Sequence, residues 1–283
     1  MLYIKFALIS LTLVLYGCNN TIRKEYQSQY VFVIEDDLSL RQTGYYEPRT
    51  MFSVALTKLR EAGVKSVSPT FYFTKENART DRQFAEEMKK TPTILQYALK
   101  GKGKRKISQR TLAKMAAVGD DSTFEQLPTN EKAEFPARAL AGAAWQLGFV
   151  DMVEPFEFEQ VPMVGNFNGR VVKSLVLTLL EQQYGPAQIE SSAIRIAGNL
   201  LPLDEQGRYR CEMGRANAMK AMRLTNVLKA TNISEMDGKT AVIISEARDI
   251  SKINRGWFRQ ISHHQVLSQQ LLCVEYDLIE PTS

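Results

Sequence analysis

The chain has 283 residues, 44% hydrophobic and 24% charged, with a formal net charge of +5 and a pI near 9.0. These are ordinary globular values on a chain long enough for one large domain or two small ones. No stretch after residue 18 approaches 18 uninterrupted apolar residues, which argues against a later membrane-spanning helix.

The apolar run from Phe6 to Leu15 follows a single Lys5 and is well short of the roughly 20 residues a span requires. A charged start, a short apolar region and a small residue beside a cysteine predict a secretory signal peptide. The tail "LYGC" resembles the bacterial lipobox, with Leu15, Gly17 and Cys18 in place and Tyr16 where a smaller residue is usual. Residues 1–17 are therefore read as a lipoprotein signal peptide and Cys18 as the lipidated residue, against an ordinary signal peptide or a buried first strand. Asn19 stands where an aspartate would retain a lipoprotein at the inner membrane, which favours the outer membrane. A basic pI points to nucleic acid in other settings. An exported chain rarely meets any, and anionic lipid or lipopolysaccharide is the more natural electrostatic partner. Of the other cysteines, Cys211 and Cys273 form an even pair that an oxidising compartment permits to bond. Two separate buried thiols fit the sequence equally well.

Residues 18–30 read as a polar tether and residues 31–283 as one domain. "YVFVI" predicts a buried strand ending in "EDD", and "RTMFSVALTKLREAG" a helix with Phe52, Ala55, Leu56 and Leu59 on one face and Gly63 at its end. "VKSVSPTFYF" is strand-like, Pro69 placing it at an edge or bulge. "RQFAEEMKK" reads as a helix and "TPTILQYAL" as a strand. Residues 100–136, with the basic run "KGKGKRK", read as a long loop or insertion. "ARALAGAAWQLG" then predicts a helix, "FVDMV" a short strand and "VVKSLVLTLLEQQYG" a helix closed by Gly185. "AIRIAGNLLPL" predicts two short strands joined across Gly198 and Asn199. A helix around Ala216–Leu228, the apolar strand "KTAVIIS", a helix at "SHHQVLSQQLL" and a terminal strand at "CVEYDLI" complete the chain. Strand and helix alternate, the pattern of an α/β fold with a largely parallel sheet flanked by helices.

Several segments carry a resemblance. "DDLSL" (Asp36 to Leu40) is an acidic pair before Ser-Leu. "GYYEPRT" keeps Gly44, Pro48 and Arg49, and "AGVKSVSPTFYF" has Thr70. Further along come "KSLVLTLLEQQYG", "GNLLPLDEQG", "MDGKTAVIISEARDI" and "SHHQVLSQQLL" with His263. Their order and spacing over residues 30–275 resemble the CHASE family of extracellular sensor domains, type two, in which Thr70 replaces an aspartate and His263 matches a histidine. The family's turn between the two halves is missing, "EPFEFEQVPM" standing in its place. The resemblance implies an outside-facing input module of bacterial signalling proteins. No membrane helix or output domain follows in this sequence, so a freestanding, lipid-tethered relative is expected.

No motif for chemistry stands out. His263 and His264 are adjacent and point about 100° apart on a helix. There is no G-x-S-x-G elbow, no H-x-x-x-H or C-x-x-C spacing, and no Walker sequence. No catalytic residue, metal or cofactor is expected. The candidate binding residues are the acids closing the first strand, Glu35, Asp36 and Asp37, for a cation or an amine. Arg49 is a candidate for an anion or as a partner of Asp36 or Asp37, Asp249 for the loop after the last core strand, and His263 as a pH-sensitive group. A sensor-like module that binds a small ligand or an envelope protein partner is the leading expectation. A cell-envelope hydrolase and a structural lipoprotein are the alternatives.

Overall fold

In a computed structural model, the described residues are 27–35, 48–99, 107–115, 127–150, 159–190, 192–211, 221–230, 233–245, 252–255 and 259–279, without the side chains of Pro48, Ser245 and residues 252–265. The first strand, β1 (Tyr30–Glu35), is buried on both faces, Val31 and Val33 packing to one side and Tyr30 and Phe32 to the other. Such an apolar run suits the interior of a covered parallel sheet. Helix α1 (Pro48–Glu61) follows, with proline at its first position, where a missing N–H costs nothing. It buries Phe52, Ala55, Leu56 and Leu59 and ends at Gly63, whose φ of +79° suits glycine.

Strand β2 (Ser66–Pro69), helix α2 (Ala78–Lys90) and strand β3 (Ile94–Ala98) come next. The region expected as a loop holds a short helix, α3 (Gln109–Ala113), and a two-residue strand, β4 (Thr129–Asn130). Helix α4 (Arg138–Ala143) leads to β5 (Gln146–Val150), and β6 (Gln160–Pro162), β7 (Val164–Phe167) and β8 (Arg170–Lys173) precede helix α5 (Leu175–Tyr184). Then come β9 (Gln188–Glu190), β10 (Ala193–Ile196), β11 (Asn199–Pro202), β12 (Arg208–Arg210), β13 (Ala221–Arg223), α6 (Leu224–Lys229) and β14 (Thr240–Ser245). The chain closes with β15 (Lys252–Arg255), β16 (Arg259–Ser262) and α7 (His263–Ile279).

The central sheet is parallel, in the order β13-β1-β14-β2. A parallel bridge from Val67 to Thr93 carries the same direction into the parallel pair β3–β5. Along β14, Ala241 and Ile243 join the core under α1, α2, α4 and α6, while Val242 and Ile244 join the core under α5 and α7. The sheet is thus flanked by helices on both faces, an α/β fold. On the first face Phe52 lies 4.7, 5.5 and 6.1 Å from the rings of Phe71, Phe73 and Phe84, an aromatic cluster that pins α1 and α2 together.

Five sequence expectations are corrected. Val171, Val172 and Lys173, expected to open a helix, belong to strand β8 and pair with β7. "CVEYDLI" lies in α7, where Leu267, Leu271, Val274 and Leu278 recur on one buried helical stripe. The helix expected through "WQLG" stops at Ala143, because Trp145 donates its N–H to the Thr93 carbonyl at 2.8 Å and the chain then pairs with β3. Gly148 lets this strand lie against the start of α5: a Cβ there would lie 2.4 Å from the Leu175 Cα. Residues 221–223 form a strand beside β1 rather than helix. The β10–β11 hairpin turns on Ala197 and Gly198, with φ of +50° and +84°, one residue before the expected pair.

Helix α5 starts at Ser174, whose buried side chain accepts the Leu177 N–H at 3.1 Å. Ser174→Ala orphans that donor, and the expected loss is about 1–2 kcal/mol, read as a lower urea midpoint with unchanged slope. A disulfide joins Cys211, just after β12, to Cys273 on α7, with Cα atoms 6.2 Å apart.

Candidate functional site

Parallel strands collect their carboxyl ends on one edge, and in open α/β sheets ligands bind outside that edge. Here β1 and β14 are neighbours in full register, Tyr30 opposite Thr240 and Glu35 opposite Ser245. The carboxyl ends of the two strands, at Glu35 and Ser245, therefore lie side by side. Asp36, Asp37 and Asp249 lie outside the described residues. Glu35 is described, and its side chain is buried at the end of β1.

Arg49, in the first turn of α1, forms an ion pair with Asp81 of α2 and donates to the Lys75 carbonyl, its guanidinium 5.7 Å from the centre of the Phe73 ring. Asp81 also accepts the Asn77 N–H at 2.8 Å. Asn77 caps α2 in turn, so one arginine fastens the starts of both helices. Sequence reasoning did not single out Asp81. Its only local signal is its place in the first turn of α2, where acids complement the helix dipole.

Thr70, where the resembling family has an aspartate, is buried just beyond β2. Its hydroxyl and its N–H both donate to the Ile243 carbonyl at 2.9 Å, tying β2 to β14. His263 opens α7 directly after β16, and its side chain lies outside the described set. Cys211, Cys273 and Asp277 form the one group with metal-ligand spacing among the described residues, and both sulfurs are taken up by the disulfide. Among the described residues no helix is long and apolar enough to cross a membrane.

The same edge holds a feature that sequence reasoning missed. A cleft of about 360 Å³ is lined by Ile107, Ser108, Thr111, Phe135, Pro136, Arg138 and Ala141. Glu134 bridges Ala98 at the end of β3, and Ala137 donates its N–H to the Phe73 carbonyl at 2.7 Å, which places the cleft at the carboxyl end of β3. Its walls are braced. Lys114 Nζ donates to the carbonyls of Ala141 (3.2 Å), Gly142 (2.6 Å) and Ala144, joining the end of α3 to the end of α4. Burial, together with nearby Arg110, lowers the Lys114 pKa from its usual value.

A family model described as the CHASE2 domain matches residues 5–278. Comparison with curated proteins and with solved structures gave no match.

Proposed function

The chain belongs to the CHASE2 domain family, and from that premise we propose that it is a lipid-anchored recognition module of the bacterial cell envelope that engages an envelope protein partner at the carboxyl edge of its sheet. CHASE2 domains are extracellular sensor domains, so a sensor-like module is the coarse reading. The observation that supports the finer one is the in-register parallel pairing of β1 with β14. It brings segments about 200 residues apart in sequence to adjacent starting points, as a composite recognition surface requires. Asp36, Asp37 and Asp249 are its proposed contact residues, with Arg49 bracing the helix start behind them and His263 as a pH-responsive group. The tether is Cys18, on the strength of "LYGC". Lipid confines the module to a membrane surface and raises its effective concentration for a partner there.

The test is photo-crosslinking in intact cells. A photoreactive residue at position 36 or 249 is expected to give a specific protein adduct. The same probe at Lys65, exposed at the amino end of β2, is expected to give none. Adducts from neither edge position, or equal adducts from Lys65, overturn the proposal. For the anchor, Cys18→Ala should move the protein from the membrane fraction to the soluble one and abolish acyl labelling. Undiminished membrane association would reject the lipid tether.

A further inference from the structure

We propose that the cleft between α3, α4 and Phe135 is a binding site for a small organic carboxylate with an apolar, single-ring body. The inference rests on the preceding reading only in taking the carboxyl edge as the working edge of the sheet.

The volume of about 360 Å³ falls in the lower part of the roughly 300–1,000 Å³ range of small-molecule sites. The lining divides by chemistry. Ile107, Phe135, Pro136 and Ala141 supply an apolar surface, and Phe135 is a fixed wall: its ring stacks on Tyr97 at 5.1 Å and meets Phe167 edge-on at 5.7 Å. An aromatic or branched body packs against such a wall with little reorganisation.

The polar part is small and cationic. Arg138 lines the cleft, is exposed, and makes no ion pair among the described residues. Its planar guanidinium matches a carboxylate through two parallel hydrogen bonds. Ser108 and Thr111 lie 2.9 Å apart through their hydroxyl oxygens, offering a second polar point on the α3 side. Among the described residues, no acidic side chain lines the cleft. A neutral ligand of the same shape would leave the guanidinium without its counter-charge.

The experiment titrates the full chain with phenylacetate and with its neutral isostere phenylacetamide, by calorimetry. Amide shifts of Phe135 and Ala141 serve as the site reporter. Phenylacetate is expected to bind saturably and at least about tenfold more tightly than the amide, the scale of one charge-assisted hydrogen bond. Arg138→Gln should weaken the acid about tenfold and leave the amide unchanged. Ile107→Trp, a plug at the half-buried rim, should abolish both. Equal binding of acid and amide, full acid affinity in R138Q, or no saturable binding of phenylacetate overturns the proposal. Arg138 is exposed, so its variant reports even if I107W fails to fold. The crosslinks from positions 36 and 249 are scored separately, so failure of this site and failure of the partner surface are distinguishable.

Discussion

Removing the Cys211–Cys273 disulfide is expected to cost about 4 kcal/mol of stability. The two residues are 62 apart in sequence. In the chain-entropy account, closing a loop of that size stabilises by an amount between roughly 3 kcal/mol for 15 residues and 4.7 for 100. Both cysteines are buried, so mild reductant reaches them slowly, and the paired variant Cys211→Ala with Cys273→Ala is the cleaner test. Thermal unfolding should shift down by roughly 8–16 °C for a domain of this size. The bond also organises its surroundings. Asp277, one turn beyond Cys273, accepts the Tyr209 hydroxyl at 3.0 Å and lies 3.5 Å from the Cys211 sulfur, so strand β12 is held to α7 at several points. A paired variant that melts with the parent would show that the bridge contributes nothing to folding.

Glu275→Ala is expected to cost roughly 3–5 kcal/mol. This carboxyl group on α7 is fully buried and accepts the Ser28 hydroxyl at 2.6 Å, the Gln29 N–H at 2.8 Å and the Tyr184 hydroxyl at 2.7 Å. Alanine leaves three donors without their acceptor at the point where the chain enters β1. The Gln29 carbonyl next to it accepts the Thr240 N–H at 3.0 Å, so the loss falls on the start of the β1–β14 pair. Burial first, and the neighbouring Glu275 second, push the Tyr184 hydroxyl pKa far above its ordinary value. The phenol therefore stays a donor at every physiological pH. Glu275→Gln keeps the shape and one carbonyl acceptor and should lose about half as much, while Tyr184→Phe should lose about 1 kcal/mol. Urea unfolding measures all three, and a loss below about 1 kcal/mol for the alanine variant would contradict this account.

Elements whose signal is local were legible. "YVFVI" and "KTAVIIS" are apolar and β-rich over their whole length, and α1 repeats its buried residues at helical spacing, so each declares itself without its neighbours. The family was legible for the same reason, its motifs being short and ordered along nearly the whole chain. Segments whose state depends on a partner were misread. Gln146–Val150 follows a helix-favouring run and becomes a strand because β3 offers an open edge and Gly148 lets the backbone pass close to Leu175. The end of α7 alternates like a strand only if Glu275 is assumed to face water, whereas three donors from distant segments make its burial favourable.

The sequence by itself determined the α/β class, the family and the run of alternating strands and helices that builds a parallel sheet, because periodicity is a property of contiguous residues. Only the tertiary structure decided that Asp81 holds Arg49, that Thr70 binds the Ile243 carbonyl, and that residues from 107–111 and 135–141 enclose a cleft. Those arrangements depend on distances between segments far apart in sequence. Such distances are set by packing across the sheet, which no local pattern encodes.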